Sequence, residues 1–289
     1  MMKKTLDIKT LHFFSFAFKN VKFKIGFALF TSIVLISIVG SLATPYDPSI
    51  GGKFRPNEPP SISHLLGTDS MGRDILAQIF LGTVQSLIIG LIVAFVGTVV
   101  GSTLGFMAGY YGGLIDAFFR TIIDTFVVVP MLPILILISS FFRTVSIWLV
   151  AGILSIFSWA WPARQIRSQT FSLKERDFIS VAKLSGMSGS EIILKEIMPH
   201  MLQWMIANFV NAVLWSMLTE AGLEILGLGP QTTITLGMML YWANVYSALL
   251  RNLWWWWFPP LTMLILLFLS LYLIHNGLDE LLNPRSRKG

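Results

Sequence analysis

The sequence contains no cysteine among its 289 residues. This absence excludes disulfide bonds, thiolate metal ligands and a cysteine nucleophile. Charged residues are also scarce, because they make up 12% of the chain, compared with roughly a quarter of a soluble globular protein. Hydrophobic residues make up 54%, and the mean hydropathy is +0.71. This composition predicts an integral membrane protein.

Sequence elements that enzymes and ATP-binding proteins need are missing as well. The chain has no Gly-x-x-x-x-Gly-Lys-[Ser/Thr] loop, which excludes ATP binding by that route. His64, His200 and His275 are scattered along the sequence, and we expect neither a metal site nor another cofactor. The lack of paired catalytic groups disfavours a membrane-embedded hydrolase. We therefore expect a non-catalytic chain.

Long apolar runs dominate the sequence instead. A helix of about 20 mainly apolar residues crosses the hydrocarbon core, and six such runs are present, at 25–44, 84–108, 117–142, 145–162, 201–227 and 254–275. Pro130 and Pro133 remove backbone donors and predict a kink in the third run. Glycines permit close helix packing in the second run, at positions 90, 97, 101, 105 and 109. The predicted fold is an all-α polytopic membrane protein with six transmembrane helices.

Positive charge predicts the orientation of these helices. With a cytoplasmic N-terminus, sixteen of the 21 Lys and Arg residues fall in cytoplasmic segments and five on the other side, and such enrichment marks cytoplasmic loops. Both termini are then cytoplasmic, with Gly52 outside and Ser188 inside. The net charge of +6 follows the lipid bilayer in this way, and we expect no nucleic acid partner.

The chain divides accordingly into five parts. They are a cytoplasmic N-terminal segment 1–24, a first transmembrane helix 25–44, an extracytoplasmic segment 45–83, a transmembrane core 84–275 that includes a cytoplasmic loop 163–200, and a cytoplasmic tail 276–289. Ser41-Leu42-Ala43 resembles a signal-peptide cleavage site. The long basic stretch before it and an apolar run of about 20 residues favour an uncleaved helix.

The cytoplasmic loop contains two short helical patterns. From Glu175 to Ser188, small residues recur at helical spacing, at Ala182, Ser185 and Gly186, and leave no bulk where another protein approaches. Ser188 and Glu191 then form a capping-box pattern that starts a second helix, and Pro199 is expected to end it. The loop is predicted to be a helix, a turn and a second helix before the fifth span.

This loop resembles the coupling loop of permease subunits in binding-protein-dependent ABC importers. The family pattern is Glu-Ala-Ala, a glycine four residues after the last alanine and a proline thirteen residues after that glycine. This chain has Ser180-Val181-Ala182, Gly186 and Pro199, so the spacing matches while the acidic residue and first alanine are missing. The resemblance implies ATPase-coupling positions at Phe178, Ser180, Val181, Ala182, Gly186, Met187 and Pro199.

Further motifs are similar to the dipeptide/oligopeptide/nickel class, and to the shorter of its two permeases. After the first span come Gly67-Thr68-Asp69 and Gly72-Arg73-Asp74, as in the family signature Gly-Thr-Asp-x-x-Gly-Arg-Asp. The other matches are Gly109 to Gly113, Glu220-Ala221 with Leu226 to Gly229, and Trp256 to Pro260 with Asn283-Pro284-Arg285. Asp69 either caps a helix that starts at Ser70 or contacts a binding protein, and the first interpretation is favoured.

Membership of this family implies several partners. It implies a second, homologous permease, two cytoplasmic ATP-binding cassette ATPases that bind ATP and Mg²⁺, and an extracytoplasmic solute-binding protein. It also implies the inner or plasma membrane of a prokaryote, alternating access, and transmission of the ATPase motion through the loop around 176–190. The solute is a peptide, an oligosaccharide, nickel, a metal chelate or an opine, and no residue separates these.

The fifth span carries a polar and aromatic stripe. Asn208, Asn211, Trp215 and Thr219 recur at three- and four-residue steps and either pack against neighbouring helices or line the solute path. Glu220 is predicted to face the interior of the permease pair, since a charge in hydrocarbon costs several kcal/mol. The run Trp254 to Trp257 is interpreted as an interfacial aromatic belt and not as a substrate cage.

The alternative function is a secondary transporter or channel that works alone. Such a protein needs ion-coupling residues within the membrane. Only Glu220, Glu224, Asp116 and Asp124 qualify. Proton-dependent uptake by the purified chain alone is the result that favours this alternative.

Overall fold

The computed structural model describes residues 17–142, 145–231 and 233–282. Within these residues the chain forms eleven α-helices and one π-helical turn. The helices are α1 (Val21–Ala43), α2 (Ile75–Tyr111), α3 (Gly113–Val128), α4 (Met131–Ser140), α5 (Ile147–Ser158), α6 (Ala160–Lys174), α7 (Asp177–Leu184), α8 (Gly189–Ile192), α9 (Met198–Ile225), α10 (Leu236–Val245) and α11 (Trp254–Leu282). The π turn is Ile193–Ile197. Residues 1–16 of the N-terminal segment, Arg143, and residues 283–289 of the tail with Asn283-Pro284-Arg285 lie outside the described residues.

The described helices confirm the all-α polytopic fold. Five stretches are long and apolar enough to cross a membrane, and α3 with α4 makes a sixth if that pair is one span. The pair is bent by 81° at the break between Val128 and Met131, where the sequence predicted a kink. Pro130 lies in this break and begins α4 as its N-cap, because proline cannot supply the donor that a continuous helix needs there.

Contacts along α3 and α4 favour one broken span. Near the start of α3, Asp116 accepts hydrogen bonds from Arg167 of α6. Further along the pair, Leu135 of α4 packs in a buried cluster with Ile89 of α2 and Leu223 of α9. Ile89 lies in the first half of α2 and Leu223 near the end of α9, away from the end of the bundle where Asp116 meets Arg167. The pair therefore progresses from one end of the bundle toward the other.

Close contact between α2 and α6 forms the centre of the bundle. Three glycines of α2, at positions 101, 105 and 109, lie directly against α6 or the residue before it, and Gly97 lies against Ser158 at the end of α5. A Cβ atom on Gly101 would lie 2.6 Å from the Trp159 carbonyl oxygen, and one on Gly105 2.7 Å from that of Ala163. The prediction of close packing through these glycines is confirmed, because no larger residue fits at this separation.

The two terminal membrane helices pack side by side in antiparallel fashion. Glu280 of α11 forms an ion pair with Lys22 of α1 and accepts a hydrogen bond of 2.8 Å from Asn20. Gly26 and Gly277 allow the backbones to approach closely, since a Cβ atom at either position would come within 2.8 Å of the other helix. The start of α1 and the end of α11 therefore lie at the same end of the bundle.

Pro199 does not end the helix that begins at Gly189, and that prediction is wrong. The chain stays helical from α8 through the π turn into α9, with Pro199 in the first turn of α9. The Met198 N–H donates to the carbonyl of Ile193, five residues earlier. This wider turn just before the proline accommodates a residue that lacks an N–H donor.

Candidate translocation and coupling sites

A cavity of about 410 Å³ lies beside α9, between that helix and α2, α4, α5 and α6. Four of the five predicted path residues line it, namely Asn208, Asn211, Trp215 and Thr219. The rest of the wall is formed by Val93, Met131, Leu154, Phe157, Ser158, Trp161, Pro162, Ala212 and Ser216. The volume falls in the range of small-molecule pockets. The polar stripe thus faces a cavity within the membrane-spanning region.

The three hydroxyl groups in this wall already donate hydrogen bonds to backbone carbonyls. The hydroxyl of Thr219 donates to the Trp215 carbonyl at 2.8 Å, and that of Ser216 donates to the Ala212 carbonyl at 2.6 Å. The Ser158 hydroxyl donates to Ser155 at 3.1 Å. By contrast, the amide nitrogen of Asn208 is buried and has no hydrogen-bond partner among the described residues. This nitrogen therefore does not form part of the surface that the cavity exposes.

Glu220 does not join the other four path residues. It is fully buried against α2, where its carboxyl group accepts a hydrogen bond of 3.0 Å from Ser86. One turn further, the buried Glu224 accepts from the Thr235 hydroxyl at the start of α10. Ser86 in turn accepts from the Leu236 N–H at 3.3 Å. The burial of Glu220 agrees with the prediction that it avoids lipid. Its side chain, however, bonds to another helix of the same chain and does not line the cavity.

Helix α7 has one buried face and one exposed face. Ile179 and Ala182 pack into a cluster with residues of α2, α6, α8 and α9, including Phe106, Ile166 and Ile192. Ala182 is only 6% exposed, so its side chain is unable to form a docking surface. That part of the small-residue prediction is wrong, because Ala182 packs inward as an ordinary core residue of an amphipathic helix.

The outer face of α7 carries two exposed apolar side chains among polar ones. Val181 is 62% exposed and Leu184 is 89% exposed. Ser180 is exposed beside them, while Phe178 and Met187 are half-buried and pack against the underlying cluster. The Phe178 ring stacks on His200 with a centroid distance of 4.8 Å. Leu184 was not among the predicted coupling residues, although its spacing from Val181 places both on one helix face.

Gly186 terminates α7 through its backbone conformation. Its φ angle is +79°, and no atom lies within 4 Å of the position that a Cβ atom would occupy. The Gly186 N–H donates to Lys183 at 3.0 Å, and the Met187 N–H donates to Ala182 at 3.2 Å. These two bonds form a Schellman motif, in which glycine is preferred because it adopts the left-handed conformation without strain.

The capping box before α8 is confirmed. The Ser188 hydroxyl accepts from the Glu191 N–H at 3.3 Å, and the Glu191 carboxylate accepts from the Ser188 N–H at 3.0 Å. Lys195 pairs with the same carboxylate at 2.7 Å. The turn between α7 and α8 is therefore fixed by local hydrogen bonds on both sides.

The motif after the first span forms a buried polar network. Asp69 accepts hydrogen bonds from the N–H groups of Met71 and Arg73, both at 2.9 Å, and from the Arg73 side chain at 2.6 Å. Gln78 adds a fourth donor at 3.1 Å. Asp69 and Arg73 are both buried. Replacing one partner of a buried pair leaves the other uncompensated, which costs about 3–5 kcal/mol.

The helix cap in this motif is Asp74 and not Asp69. Helix α2 begins at Ile75, and the Asp74 carboxylate accepts from the Ala77 N–H at 2.9 Å. His64 lies 2.7 Å from the other Asp74 oxygen. The prediction is wrong by one turn because the residues after Asp69 form a tight turn, with Gly72 at φ +68°, and the helix starts after it.

The remaining motif residues tie this segment to α11. Thr68 donates to the Arg55 carbonyl at 2.7 Å, and its own carbonyl accepts from the Trp255 indole at 3.3 Å. Gly67 adopts φ +72° beside the same indole. Trp256 is fully buried. The belt interpretation is therefore wrong for Trp255, which fastens the segment around Gly67 and Thr68 to the bundle, and for Trp256, which packs in the core.

Sequence reasoning missed several residues of these sites. Phe157 and Trp161 belong to the cavity wall but come from other helices than α9, so periodicity within one helix gave no sign of them. Ser86 and Thr235 are far from the glutamates in sequence. A polar residue within an apolar run was the available signal for Ser86, because such residues seek partners inside a membrane.

Comparisons with known proteins agree with these features. A family model described as the binding-protein-dependent transport system inner membrane component matches residues 101–288. The oligopeptide transport system permease protein OppC of Mycobacterium tuberculosis (strain ATCC 25618 / H37Rv) is 32% identical over 232 residues, or 80% of this chain and 79% of that protein. OppC of Lactococcus lactis subsp. cremoris (strain SK11) is 32% identical over 228 residues, or 78% of this chain and 77% of that protein.

A solved structure shares the fold. A chain from the inward facing MetNI methionine ABC transporter aligns with a TM-score of 0.50 and 19% identity, over 72% of this chain and 96% of that chain. The family match spans more than half of the sequence, and the apolar helices, the short helix α7 and the motif from Gly67 to Asp74 all belong to one bundle. The chain belongs to the family of binding-protein-dependent transport system inner membrane components, which are the membrane permeases of ABC importers.

Proposed function

We propose that this chain is one of two permease subunits of an importer for oligopeptides. The proposed complex contains a second, homologous permease, two cytoplasmic ATPases and an extracytoplasmic solute-binding protein. The relatives named OppC support the oligopeptide class. The chain itself catalyses nothing and binds no cofactor, and ATP and Mg²⁺ bind to the ATPases.

The pair of exposed apolar residues on α7 is the observation that carries this proposal. Val181 and Leu184 project from a helix whose other face is packed onto the bundle. Exposed apolar side chains on a well-anchored element mark a protein interaction site. Helix α7 leads through a fixed turn into α8, the π turn and α9, and α9 lines the cavity. The ATPase contact and the solute path are thus parts of one continuous structure.

The proposed location is the inner or plasma membrane of a prokaryote, with both termini in the cytoplasm. The excess of Lys and Arg in the predicted cytoplasmic segments supports this orientation. The pairing of Lys22 with Glu280 supports it as well, because it holds the two terminal helices together at one end of the bundle. In this orientation α7 faces the cytoplasm, where the ATPases are.

Leu184→Asp tests the proposal. Leu184 is the most exposed apolar residue of α7. A charged group in its place should weaken ATPase binding about tenfold or more, since removing an apolar anchor from an interface costs about 2 kcal/mol. The permease is purified with both ATPases, and their yield is measured together with ATP-driven uptake of tripeptides into vesicles. Leu65→Asp is the matched control, because Leu65 is 65% exposed but lies in the extracytoplasmic segment.

The expected result is normal permease abundance, low ATPase yield and low uptake for Leu184→Asp, with normal ATPase yield for Leu65→Asp. Full ATPase binding by Leu184→Asp would contradict the proposed role of α7. Uptake of an oligosaccharide or Ni²⁺, without uptake of any tripeptide, would contradict the oligopeptide class. Proton-driven uptake by the isolated permease would show that the chain works without ATPases.

A further inference from the structure

We propose that the cavity beside α9 selects the peptide during passage by accepting an uncharged aromatic or large aliphatic side chain. The inference rests on the proposed oligopeptide transport and adds a second selection step, within the permease itself. Two independent properties of the cavity support it.

The first property is the lack of charge. Within the described part of the chain, the lining residues include no Asp, Glu, Lys, Arg or His. The nearest carboxyl group along α9, that of Glu220, is turned away toward Ser86. An ionised side chain placed in this cavity would lose its hydration without gaining an opposite charge, and such transfer is strongly unfavourable. The wall therefore discriminates against acidic and basic side chains.

The second property is the aromatic and apolar wall. Phe157, Trp161 and Trp215 contribute three large aromatic surfaces from three helices, α5, α6 and α9. Leu154 and Met131 complete the apolar part, and methionine adapts to side chains of different shape. Aromatic rings pair favourably with other aromatic rings beyond the area that they bury. A phenylalanine, tyrosine or leucine side chain is the natural occupant.

The dimensions of the stripe fit a short peptide. Asn208 and Thr219 are separated by three turns of α9, which corresponds to about 16 Å along the helix axis. An extended peptide advances about 3.3–3.6 Å per residue. The stripe therefore runs beside about four or five residues, while the cavity itself accepts one side chain among them. The selection acts on one position of the peptide and leaves its length unrestricted.

The absence of cysteine from the chain makes a direct test possible. Thr219→Cys places the chain's only thiol in the cavity wall of the assembled importer. The rate at which a small methanethiosulfonate reagent modifies this thiol is measured in detergent, without the binding protein, in the presence of Ala-Phe-Ala, Ala-Glu-Ala or Ala-Lys-Ala. Ile62→Cys, at a fully exposed position outside the cavity, is the control position that no peptide should protect.

We expect Ala-Phe-Ala to slow modification of the Thr219→Cys thiol about fivefold more than the charged tripeptides do, the ratio that one favourable aromatic pair provides. Adding Trp161→Ala, which removes part of the aromatic wall, should remove most of this preference. Phe157→Ala, in a different helix of the same wall, tests the preference if Trp161→Ala fails to assemble.

The outcomes separate this inference from the proposed function. ATP-driven uptake of the three tripeptides is measured with the unsubstituted importer, and lack of any uptake would contradict peptide transport itself. Uptake of all three, with equal protection by phenylalanine and charged tripeptides, would overturn the selective cavity alone. A thiol that reacts in the isolated chain but never in the assembled importer would assign the cavity to a side chain of the partner permease, which also overturns the inference.

Discussion

Gly186 shows how one backbone angle positions a surface helix. Its φ of +79° and the two hydrogen bonds of the Schellman motif turn the chain between α7 and α8. The space beside it is open, so the glycine is required for its conformation and not to leave room within the chain. The sequence pattern alone left both reasons possible.

Substitutions at Gly186 separate these reasons. Gly186→Asn should retain nearly normal permease abundance and ATPase yield, because asparagine tolerates the left-handed region. Gly186→Leu should be destabilised by about 1–2 kcal/mol, the cost of that region for an ordinary residue. Permease abundance and the yield of bound ATPase are measured for both variants by co-purification from membranes.

Ser185→Leu is the control, since Ser185 is exposed beside Gly186 and has an ordinary φ of −76°. If bulk against the ATPase is what matters, Ser185→Leu and Gly186→Asn should both lose the ATPases. If conformation matters, only Gly186→Leu should be defective. Equal behaviour of Gly186→Leu and the unsubstituted chain would contradict both explanations.

At the scale of helices, the glycine row of α2 determines how closely α2 and α6 approach. The atoms that face Gly101 include the Trp159 carbonyl and the Ala163 nitrogen, which belong to the backbone and are unable to move aside by changing rotamer. Even a methyl group at this position must separate the two helices. Packing at this density is also what lets the other helices surround the pair.

We predict that Gly101→Ala lowers the stability of the purified permease by about 1–3 kcal/mol, as overpacking typically does. Gly152→Ala is the matched control in another membrane helix, because no atom lies within 4 Å of its added methyl group. Alanine is a better helix former than glycine, so this change should be neutral or stabilising by about 0.5–1 kcal/mol. Thermal unfolding in one detergent compares the two, and equal midpoints would refute the packing argument.

At the scale of the whole molecule, the bend between α3 and α4 decides the topology. If the pair crosses the membrane once, the extracytoplasmic segment and α8 lie on opposite sides. If the pair returns to the side from which it entered, the number of crossings before α8 changes by one, and both lie on the same side. The contacts of Asp116 and Leu135 at different levels of the bundle favour crossing.

Single cysteines in the cysteine-free chain test this topology. Ile62→Cys, at a fully exposed position, should react with an impermeant thiol reagent added to intact cells. Ser190→Cys, in α8, should react only after the membrane is permeabilised. Reaction of both positions in intact cells would exclude the six-span arrangement.

Apolar runs were sufficient to predict the membrane helices. Six runs anticipate the helices because the hydrocarbon core requires continuous apolar stretches with satisfied backbone groups. The capping box at Ser188 was also predictable, since both partners lie within one turn. In such cases the physical cause is local in sequence.

Long-range contacts account for what the sequence did not reveal. Spacing alone placed Glu220 with the path residues, but its hydrogen bond to Ser86 turns it into the bundle. The same spacing placed Ala182 on a docking surface, although the core beneath α7 covers it. Pro199 was expected to end a helix that continues through a π turn. Each of these outcomes depends on neighbours distant in sequence or on a small change in helical winding.

The continuity of the helical stretch Gly189–Ile225 has a mechanical consequence. Its 37 residues measure about 55 Å at 1.5 Å per residue, whereas the hydrocarbon core is about 30 Å thick. The stretch is therefore a rod that extends beyond the membrane. The rod carries the cavity residues of this stretch in its second half and adjoins α7 at its first turn. Because the winding stays helical through the π turn at Ile193–Ile197, a tilt applied at the α7 end is passed along the stretch to the cavity.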